Sequence, residues 1–207
     1  MSRFTGIPAR ETGDPPRYRM YIADTLDNGA GYCSSYSELN EFEGLIAYIE
    51  SHLLPTYLSN RHADICRTSC PKCLRNYANR FEHHGLDWRL AVDLLNLLKD
   101  RDHKLTTTDE YWKSIISGRL VSLLEGLGQK GYREVDYGGT KIVEWDSKGA
   151  VLFPLHPLVY ESSAVAQQIK LDVERDYDGM KCIFYSPYEL ERTQSATLSK
   201  IHEALYG

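Results

Sequence analysis

Residues 66–73 have the sequence Cys-Arg-Thr-Ser-Cys-Pro-Lys-Cys and contain three cysteines within eight positions. Three residues lie between Cys66 and Cys70, and two lie between Cys70 and Cys73. Thiolates with these separations on one tight turn converge on a single ion, at zinc–sulfur distances of about 2.3 Å. Tetrahedral zinc needs a fourth ligand. The candidates are Cys33, His83 and His84.

Two other interpretations of these cysteines are free thiols, inert or redox-active, and a disulfide with unpaired cysteines left over. The total of five cysteines is odd, and polar residues and prolines follow residues 1–4 where a secretory segment would be apolar. Both observations disfavour a disulfide framework. The sequence therefore favours a structural zinc site.

The composition is that of a globular protein, with 42% hydrophobic and 26% charged residues among 207. A formal net charge of −5 argues against a broad nucleic-acid-binding surface. A local basic patch on both sides of the cysteines is still compatible with nucleic-acid binding. The alternative interpretation is an ordinary loop whose charged side chains are solvated. The patch consists of Arg67, Lys72, Arg75 and Arg80.

The hydropathy pattern gives no sign of a membrane protein. No apolar run approaches the roughly 20 residues that span a bilayer. We therefore expect a cytoplasmic protein without a membrane partner.

The first half of the chain is predicted to start with an irregular arm at residues 1–17 and a short strand at Arg19–Asp24. A glycine-rich turn follows the strand, and it lacks both the Lys-Ser/Thr of a P-loop and the third glycine of a dinucleotide fingerprint. We interpret it as a sharp strand-to-helix turn. Its notable residues are Asp24, Thr25, Gly29 and Gly31.

Two amphipathic helices are predicted on either side of the cysteines. Apolar residues recur at helical spacing over Ser37–Leu53, and Pro55 is expected to end that helix. The second helix begins near Leu86–Trp88. Zinc would then clip the loop between two core-facing helices into a zinc-binding module spanning residues 18–100.

A polar stretch around Asp100–Thr108 marks the boundary of a second α/β region, residues 101–207, which packs with the first or separately. Thr107 and Glu110 form a candidate capping box for its first helix. The overall class is therefore α+β, with a small mixed sheet flanked by helices. The predicted elements after that helix are strands at Tyr132–Tyr137, Thr140–Trp145 and Ala150–Leu155, a helix at Ser162–Glu174, a strand at Lys181–Tyr185 and further helix at Pro187–Leu205.

This element order resembles the core of restriction-endonuclease-like nucleases. Those enzymes need an Asp opening the second strand and a Glu-x-Lys on the third to hold magnesium and position water. Here the third strand, residues 151–156, contains neither carboxylate nor lysine. We expect a degenerate core, with a divergent metal-dependent nuclease as the alternative. Its candidate carboxylates are Asp136, Glu144 and Asp146.

Two blocks together resemble the zinc-binding C-terminal module of MrfA-type superfamily-2 helicases, a module also found in the DrmB component of DISARM-type anti-phage systems. The first block is Asp24-Thr25 followed by Gly29-Ala30-Gly31-Tyr32, with Asn28 standing where the family has a glycine. The second is Cys70-Pro71-Lys72-Cys73-Leu74-Arg75-Asn76-Tyr77, then Asn79, His83 and Leu86 to Ala91. The blocks cover roughly residues 18–100.

The resemblance implies structural zinc held by three cysteines and a histidine. The implied ligands are Cys66, Cys70, Cys73 and His83, with His84 and Cys33 as substitutes for the fourth. The sequence has no Walker lysine and no Asp-Glu-x-His box, so the resemblance places the helicase or translocase motor on a separate chain.

The predicted function is a non-catalytic accessory subunit of a DNA-processing complex, in anti-phage defence or DNA repair. It would dock to the motor and engage DNA through the assembled complex, without a small-molecule substrate. A divergent nuclease and a protein-interaction scaffold without DNA contact are the alternatives.

Overall fold

The computed structural model of the protein describes residues 3–4, 22–23, 32–100 and 102–207. The chain divides into two compact units, Met1–Asp100 and Arg101–Gly207. In the part of the chain that is described, no helix is both long and apolar enough to cross a bilayer. The predicted glycine-rich turn, with Asp24, Thr25, Gly29 and Gly31, lies outside the described residues.

The first unit is mainly helical. Its helices are α1 (Tyr32–Ser35), α2 (Leu39–Tyr48), α3 (Leu54–Tyr57), α4 (Asn60–Ala63) and α5 (Trp88–Lys99). Two short strands, β1 (Arg3–Phe4) and β2 (Ile22–Ala23), pair antiparallel, and β2 falls inside the strand predicted at Arg19–Asp24. Short 3₁₀ turns at Tyr77–Asn79 and His83–Gly85 lead from the cysteines to α5.

The helical segment after α2 does not end before Pro55, which corrects the sequence prediction. A π-helical turn at Ile49–Leu53 joins α2 to α3, and Leu54 donates its N–H to the carbonyl of Ile49. Pro55 then lies in the first turn of α3. A proline is tolerated there because the first N–H groups of a helix have no intrahelical acceptor.

Helix α5 begins where the sequence predicts, because Asp87 caps it. The Asp87 carboxylate accepts the backbone N–H of Arg89 at 3.1 Å. Trp88 and Leu95 on this helix are buried. Trp88 packs into a small core with Tyr57 and Cys66, so α5 is anchored directly beside the cysteine loop.

The second unit contains a four-stranded mixed sheet flanked by helices, as the sequence predicts. Its strands are β3 (Arg133–Tyr137), β4 (Thr140–Trp145), β5 (Ala150–Pro154) and β6 (Lys181–Tyr185). The order is β3-β4-β5-β6, in which β3–β4 and β4–β5 are antiparallel and β5–β6 is parallel. Its helices are α6 (Glu110–Ile115), α7 (Val121–Gly126), α8 (Ala164–Asp176), α9 (Pro187–Arg192) and α10 (Gln194–Tyr206), and a π-helical turn at Ile116–Leu120 joins α6 to α7.

Helix α8 makes the crossover between the parallel strands, and all five residues of β5 are buried. Side chains from β4, β5, α8 and β6 form one hydrophobic cluster. Asp109, rather than the predicted Thr107, caps α6, because its carboxylate accepts the N–H of Trp112 at 2.9 Å. The buried Thr107 hydroxyl instead donates to the carbonyl of Pro154 at 3.3 Å.

Candidate metal centre

Four side chains of the first unit, His62, Cys66, Cys70 and Cys73, point their ligand atoms at one another. These atoms all lie within 4.8 Å of one another. The Sγ atoms of Cys66 and Cys73 are 3.8 Å apart, and the Sγ of Cys70 is 3.5 Å from the Nε2 of His62. Tetrahedral zinc places two sulfur ligands about 3.8 Å apart, and a sulfur and a nitrogen ligand about 3.5 Å apart. The four side chains could therefore hold one metal ion.

Local helical geometry brings His62 and Cys66 together. His62 lies in α4, and the N–H of Cys66 donates to the carbonyl of His62 at 2.8 Å, a spacing of four residues. Residues four apart on a helical turn share one face.

A tight turn brings the other two cysteines together. The N–H groups of Cys73 and Arg75 both donate to the carbonyl of Cys70, at 3.0 and 3.1 Å. The N–H of Cys70 in turn donates to the Sγ of Cys73 at 3.1 Å. Such N–H···S contacts favour the thiolate, the form that binds metal.

The ring of His62 is buried and oriented by its neighbours. Its Nδ1 atom lies 2.9 Å from the carbonyl oxygen of Tyr57, which can only accept a hydrogen bond. Its ring also packs edge-on against Trp88, with centroids 5.3 Å apart. The Nδ1 atom therefore carries the proton, and Nε2 presents its lone pair to the cysteines.

Helix α5 holds the backbone of the cysteine loop. The indole N–H of Trp88 donates to the carbonyl of Cys66 at 3.0 Å, and its backbone N–H donates to Thr68 at 2.9 Å. The guanidinium of Arg89 donates to the carbonyls of Arg67 at 2.6 Å and Ala63 at 3.3 Å. These contacts satisfy four carbonyls around the ligand atoms, of which that of Cys66 is buried, and keep the loop from spreading.

The thiols differ in acidity because their surroundings differ. Burial, followed by the hydrogen bond with Cys70, raises the pKa of Cys66 to about 12. Burial also acts to raise the pKa of Cys70, but hydrogen bonds outweigh it, chiefly the one from the backbone of Lys72, and lower this pKa to about 7. A metal ion would supply the positive charge that allows all three sulfurs to be thiolates.

The structure does not bring the predicted fourth ligand, His83, into this group. Its Nε2 atom lies 3.0 Å from the carbonyl of Asn76 and 2.9 Å from the Oδ1 of Asn79, so this nitrogen is already used. The substitutes do not join either: His84 Nδ1 lies 3.0 Å from the carbonyl of Phe81, and Cys33 is half-buried outside the group. His62 occupies the fourth position instead.

The candidate fourth ligands predicted from the sequence lie well before the cysteines, at Cys33, or after them, at His83 and His84, and do not include His62. A usable signal was present in His62-x-x-x-Cys66, a helical spacing that places both side chains on one face. The His and the three cysteines then follow one another within twelve residues, 62–73.

The predicted basic residues separate into two places. Arg67, Lys72 and Arg75 line a cavity of about 830 Å³ beside the ligand atoms, together with Arg61. Arg80 lies instead over the rings of Tyr77 and Phe81, with its guanidinium carbon 4.6 and 4.4 Å from their centroids.

The carboxylates considered for a nuclease, Asp136, Glu144 and Asp146, do not belong to a group of three or more ligand side chains that could hold a metal ion. Both oxygens of Glu144 accept hydrogen bonds from Arg133, at 3.0 and 2.8 Å. The Asp136 carboxylate accepts the N–H of Gly139 within the β3–β4 turn at 3.0 Å. Among the described residues, the His-Cys group is the one cluster of three or more His, Cys, Asp or Glu side chains with ligand atoms close enough to share an ion.

Comparison with models of protein families, with curated proteins and with solved structures finds no match for this chain. The resemblance to the MrfA-type helicase module therefore stays a prediction, and so does the degenerate restriction-endonuclease-like core.

Proposed function

We propose that the protein is a non-catalytic, zinc-stabilised accessory module that docks to a helicase or translocase and adds contacts to DNA. The observation that carries the proposal is the spacing of the ligand atoms of His62, Cys66, Cys70 and Cys73, which fits tetrahedral zinc. Three sulfurs and one imidazole are a common structural zinc set, softer than the oxygen ligands that magnesium or calcium prefer.

The zinc is structural because the protein supplies all four ligands. A catalytic zinc keeps one position open for water or substrate, and this set leaves none. The core beside the ligands is small, with Tyr57, Cys66 and Trp88 as its buried members. Free energy of zinc binding would therefore supply much of the folding free energy of this part of the chain.

Exposed apolar side chains in the first unit support the docking half of the proposal. A groove of about 320 Å³ lies between the α2–α3 segment and α5, and residues 38–53 along it contain four glutamates and no lysine or arginine. Leu39, Leu94 and Leu98 stay exposed at 71%, 42% and 47%. An apolar surface with an acidic border suits a partner segment with apolar and basic residues, such as an amphipathic helix of the motor.

The resemblance in the cysteine block supplies the identity of that partner, and the basic residues beside the zinc supply the DNA contact. The motor would be an ATPase on a separate chain. This chain contains no Walker lysine, the residue that holds the nucleotide phosphates in such motors. Defence against phage and DNA repair are the two settings that the resemblance suggests.

Metal content and copurification test the proposal together. We expect one zinc per chain in the purified protein and a bound ATPase when the protein is expressed with its natural neighbours. Cys70→Ser should lose both, whereas Cys33→Ser, a cysteine outside the cluster, should keep both. A metal-free protein with unchanged stability would contradict the zinc site, and a zinc-loaded protein without an ATPase would contradict the docking.

A DNA-cleavage assay distinguishes the nuclease alternative. Because Arg133 engages both oxygens of Glu144, we expect no cleavage with magnesium or manganese. Cleavage that disappears in Glu144→Ala would make the protein an enzyme instead. A scaffold without DNA contact would bind no oligonucleotide at any salt concentration.

A further inference from the structure

Two large aromatic side chains near the metal centre are almost fully exposed. Tyr77 and Phe81 expose 82% and 72% of their surface, and Arg80 lies over both rings. We call Tyr77, Arg80 and Phe81 the aromatic platform. Large aromatic rings are normally buried, because burial of their apolar surface is strongly stabilising. Rings that stay in solvent beside a cation therefore indicate a surface that binds a planar group.

Hydrogen bonds fix the turn that carries the platform. The N–H of Asn76 donates to the Oδ1 of Asn79 at 2.8 Å, and the N–H of Asn79 donates back to the Oδ1 of Asn76 at 3.1 Å. Asn79 also donates through Nδ2 to the carbonyl of Leu74 at 2.8 Å, and Nε2 of His83 contacts the same turn. A turn ordered in advance loses little conformational entropy when a ligand stacks on it.

The cavity beside the ligand atoms is basic, and the platform follows its last lining residue in the sequence. Its lining includes four cationic side chains and several hydroxyl groups. The last of the cationic residues is Arg75, and Tyr77 follows it two residues later in the sequence. Between residues 54 and 81 the chain has five Lys or Arg and one Asp, against a formal net charge of −5 for the whole chain. We call the cavity, about 830 Å³ in volume, the basic groove; the side chains that define it are Arg61, Arg67, Lys72 and Arg75.

Charge and stacking together select the ligand. Arg and Lys beside hydroxyl groups suit phosphate oxygens. A zinc ion bound by three thiolates has a net charge of about −1, so residues 54–81 keep a net positive charge when zinc is bound. Exposed aromatic rings stack on base faces that are free only when the bases are unpaired. A duplex hides those faces, and an acidic peptide lacks them.

We propose that the aromatic platform and the basic groove bind single-stranded nucleic acid, with unpaired bases stacked on Tyr77 and Phe81 and phosphates along the groove. This rests on the proposed function, because it assigns the DNA contact of that module to a particular surface and to one strand. DNA and RNA share the bases and phosphates that the surface would recognise.

Fluorescence anisotropy with the zinc-loaded full-length chain tests the proposal. The probes are labelled oligo-dT and oligo-rU of about 20 nucleotides, longer than the roughly 4–16 nucleotides that one single-strand-binding domain covers. A duplex of equal length and polyglutamate complete the set. We expect both single strands to bind at least about 10-fold more tightly than the duplex and polyglutamate.

The variants separate stacking from charge. The double variant Tyr77→Ala/Phe81→Ala should weaken oligo-dT binding by about 10- to 100-fold with an unchanged dependence on salt. Lys72→Glu should weaken binding and reduce the salt dependence. The matched control is Tyr48→Ala, which removes an exposed ring (55%) elsewhere in the same unit and should leave binding unchanged. Zinc content shows that each variant is folded.

Several outcomes would overturn the inference. Equal affinity for single strands and duplex, or for polyglutamate, would leave only a cationic surface. Unchanged oligonucleotide binding in Tyr77→Ala/Phe81→Ala, with loss of the copurified ATPase, would assign the platform to a protein contact. No binding of either strand by a zinc-loaded chain that still copurifies with the ATPase would reject this inference and keep the docking half of the proposed function.

Discussion

The Nδ1 atom of His62 lies 2.9 Å from the carbonyl oxygen of Tyr57, and the two rings pack with their centroids 5.8 Å apart. The carbonyl fixes the tautomer of the imidazole, so that Nε2 faces Cys70 as an acceptor. Tyr57 also donates its hydroxyl to the carbonyl of Cys73 at 3.3 Å. One tyrosine thus orients the histidine and anchors the turn of the last cysteine.

The first prediction distinguishes His62 from His83. His62→Ala should lower zinc affinity by at least about 100-fold, because it removes a ligand and not only a neighbour that orients one. His83→Ala should keep the zinc, since that side chain contacts Asn76 and Asn79. A competitive chelator titration measures both affinities.

A conservative replacement adds a control to this experiment. His62→Cys should still bind zinc, because four cysteines also make a structural site. If His83→Ala released the metal while His62→Ala retained it, the ligand set proposed here would be incorrect.

The second prediction concerns Trp88, whose indole N–H holds the carbonyl of Cys66 at 3.0 Å. Trp88→Phe keeps an aromatic ring but removes this donor from a buried carbonyl. We expect a loss of about 1–2 kcal/mol in the free energy of unfolding and a zinc affinity reduced by up to about 10-fold. Trp112→Phe, in the second unit, should leave zinc affinity unchanged; equal effects of the two variants would argue against a local role for Trp88.

The third prediction concerns metal removal. A strong chelator should expose the backbone around residues 57–88 to hydrogen exchange, because little apolar burial supports this segment without zinc. The sheet of the second unit should keep its protection, since β5 is wholly buried and needs no metal. Hydrogen exchange followed by mass spectrometry locates the change. Uniform loss over the chain, or no loss near the cysteines, would contradict it.

Regular elements could be predicted from the sequence where periodicity and turn chemistry agree. The strand at Lys181–Tyr185 has the predicted bounds, and Thr140–Trp145 does as well. Between β3 and β4, Gly138 and Gly139 both adopt positive φ, at 60° and 85°. Glycine adopts these angles readily, which is why Gly-Gly indicates a hairpin turn.

Other features depend on hydrogen bonds that spacing does not reveal. Pro55 indicated a helix end, but the π-helical turn before it lets the helical backbone continue. The three cysteines could be predicted to meet because they share one short turn. The choice between His62 and His83 as the fourth ligand depends on their neighbours: Tyr57 orients His62, whereas Asn76 and Asn79 engage His83. These contacts form only in the folded chain.

The last prediction concerns the acid stability of the second unit. Glu144 on β4 lies opposite Arg133 on β3, and the hydrogen bonds from Arg133 hold the pKa of this carboxyl below its usual value. A carboxyl with a lowered folded pKa stabilises the protein above its unfolded pKa of about 4.3 and loses that contribution as the pH falls through the folded value. Urea unfolding of the wild type should therefore shift to lower midpoints below about pH 4. Glu144→Gln should be less stable at pH 7 and show a smaller acid shift, whereas Glu125→Gln, exposed on α7, should behave as wild type. An acid shift of the same size in Glu144→Gln would mean that other carboxylates dominate the acid response.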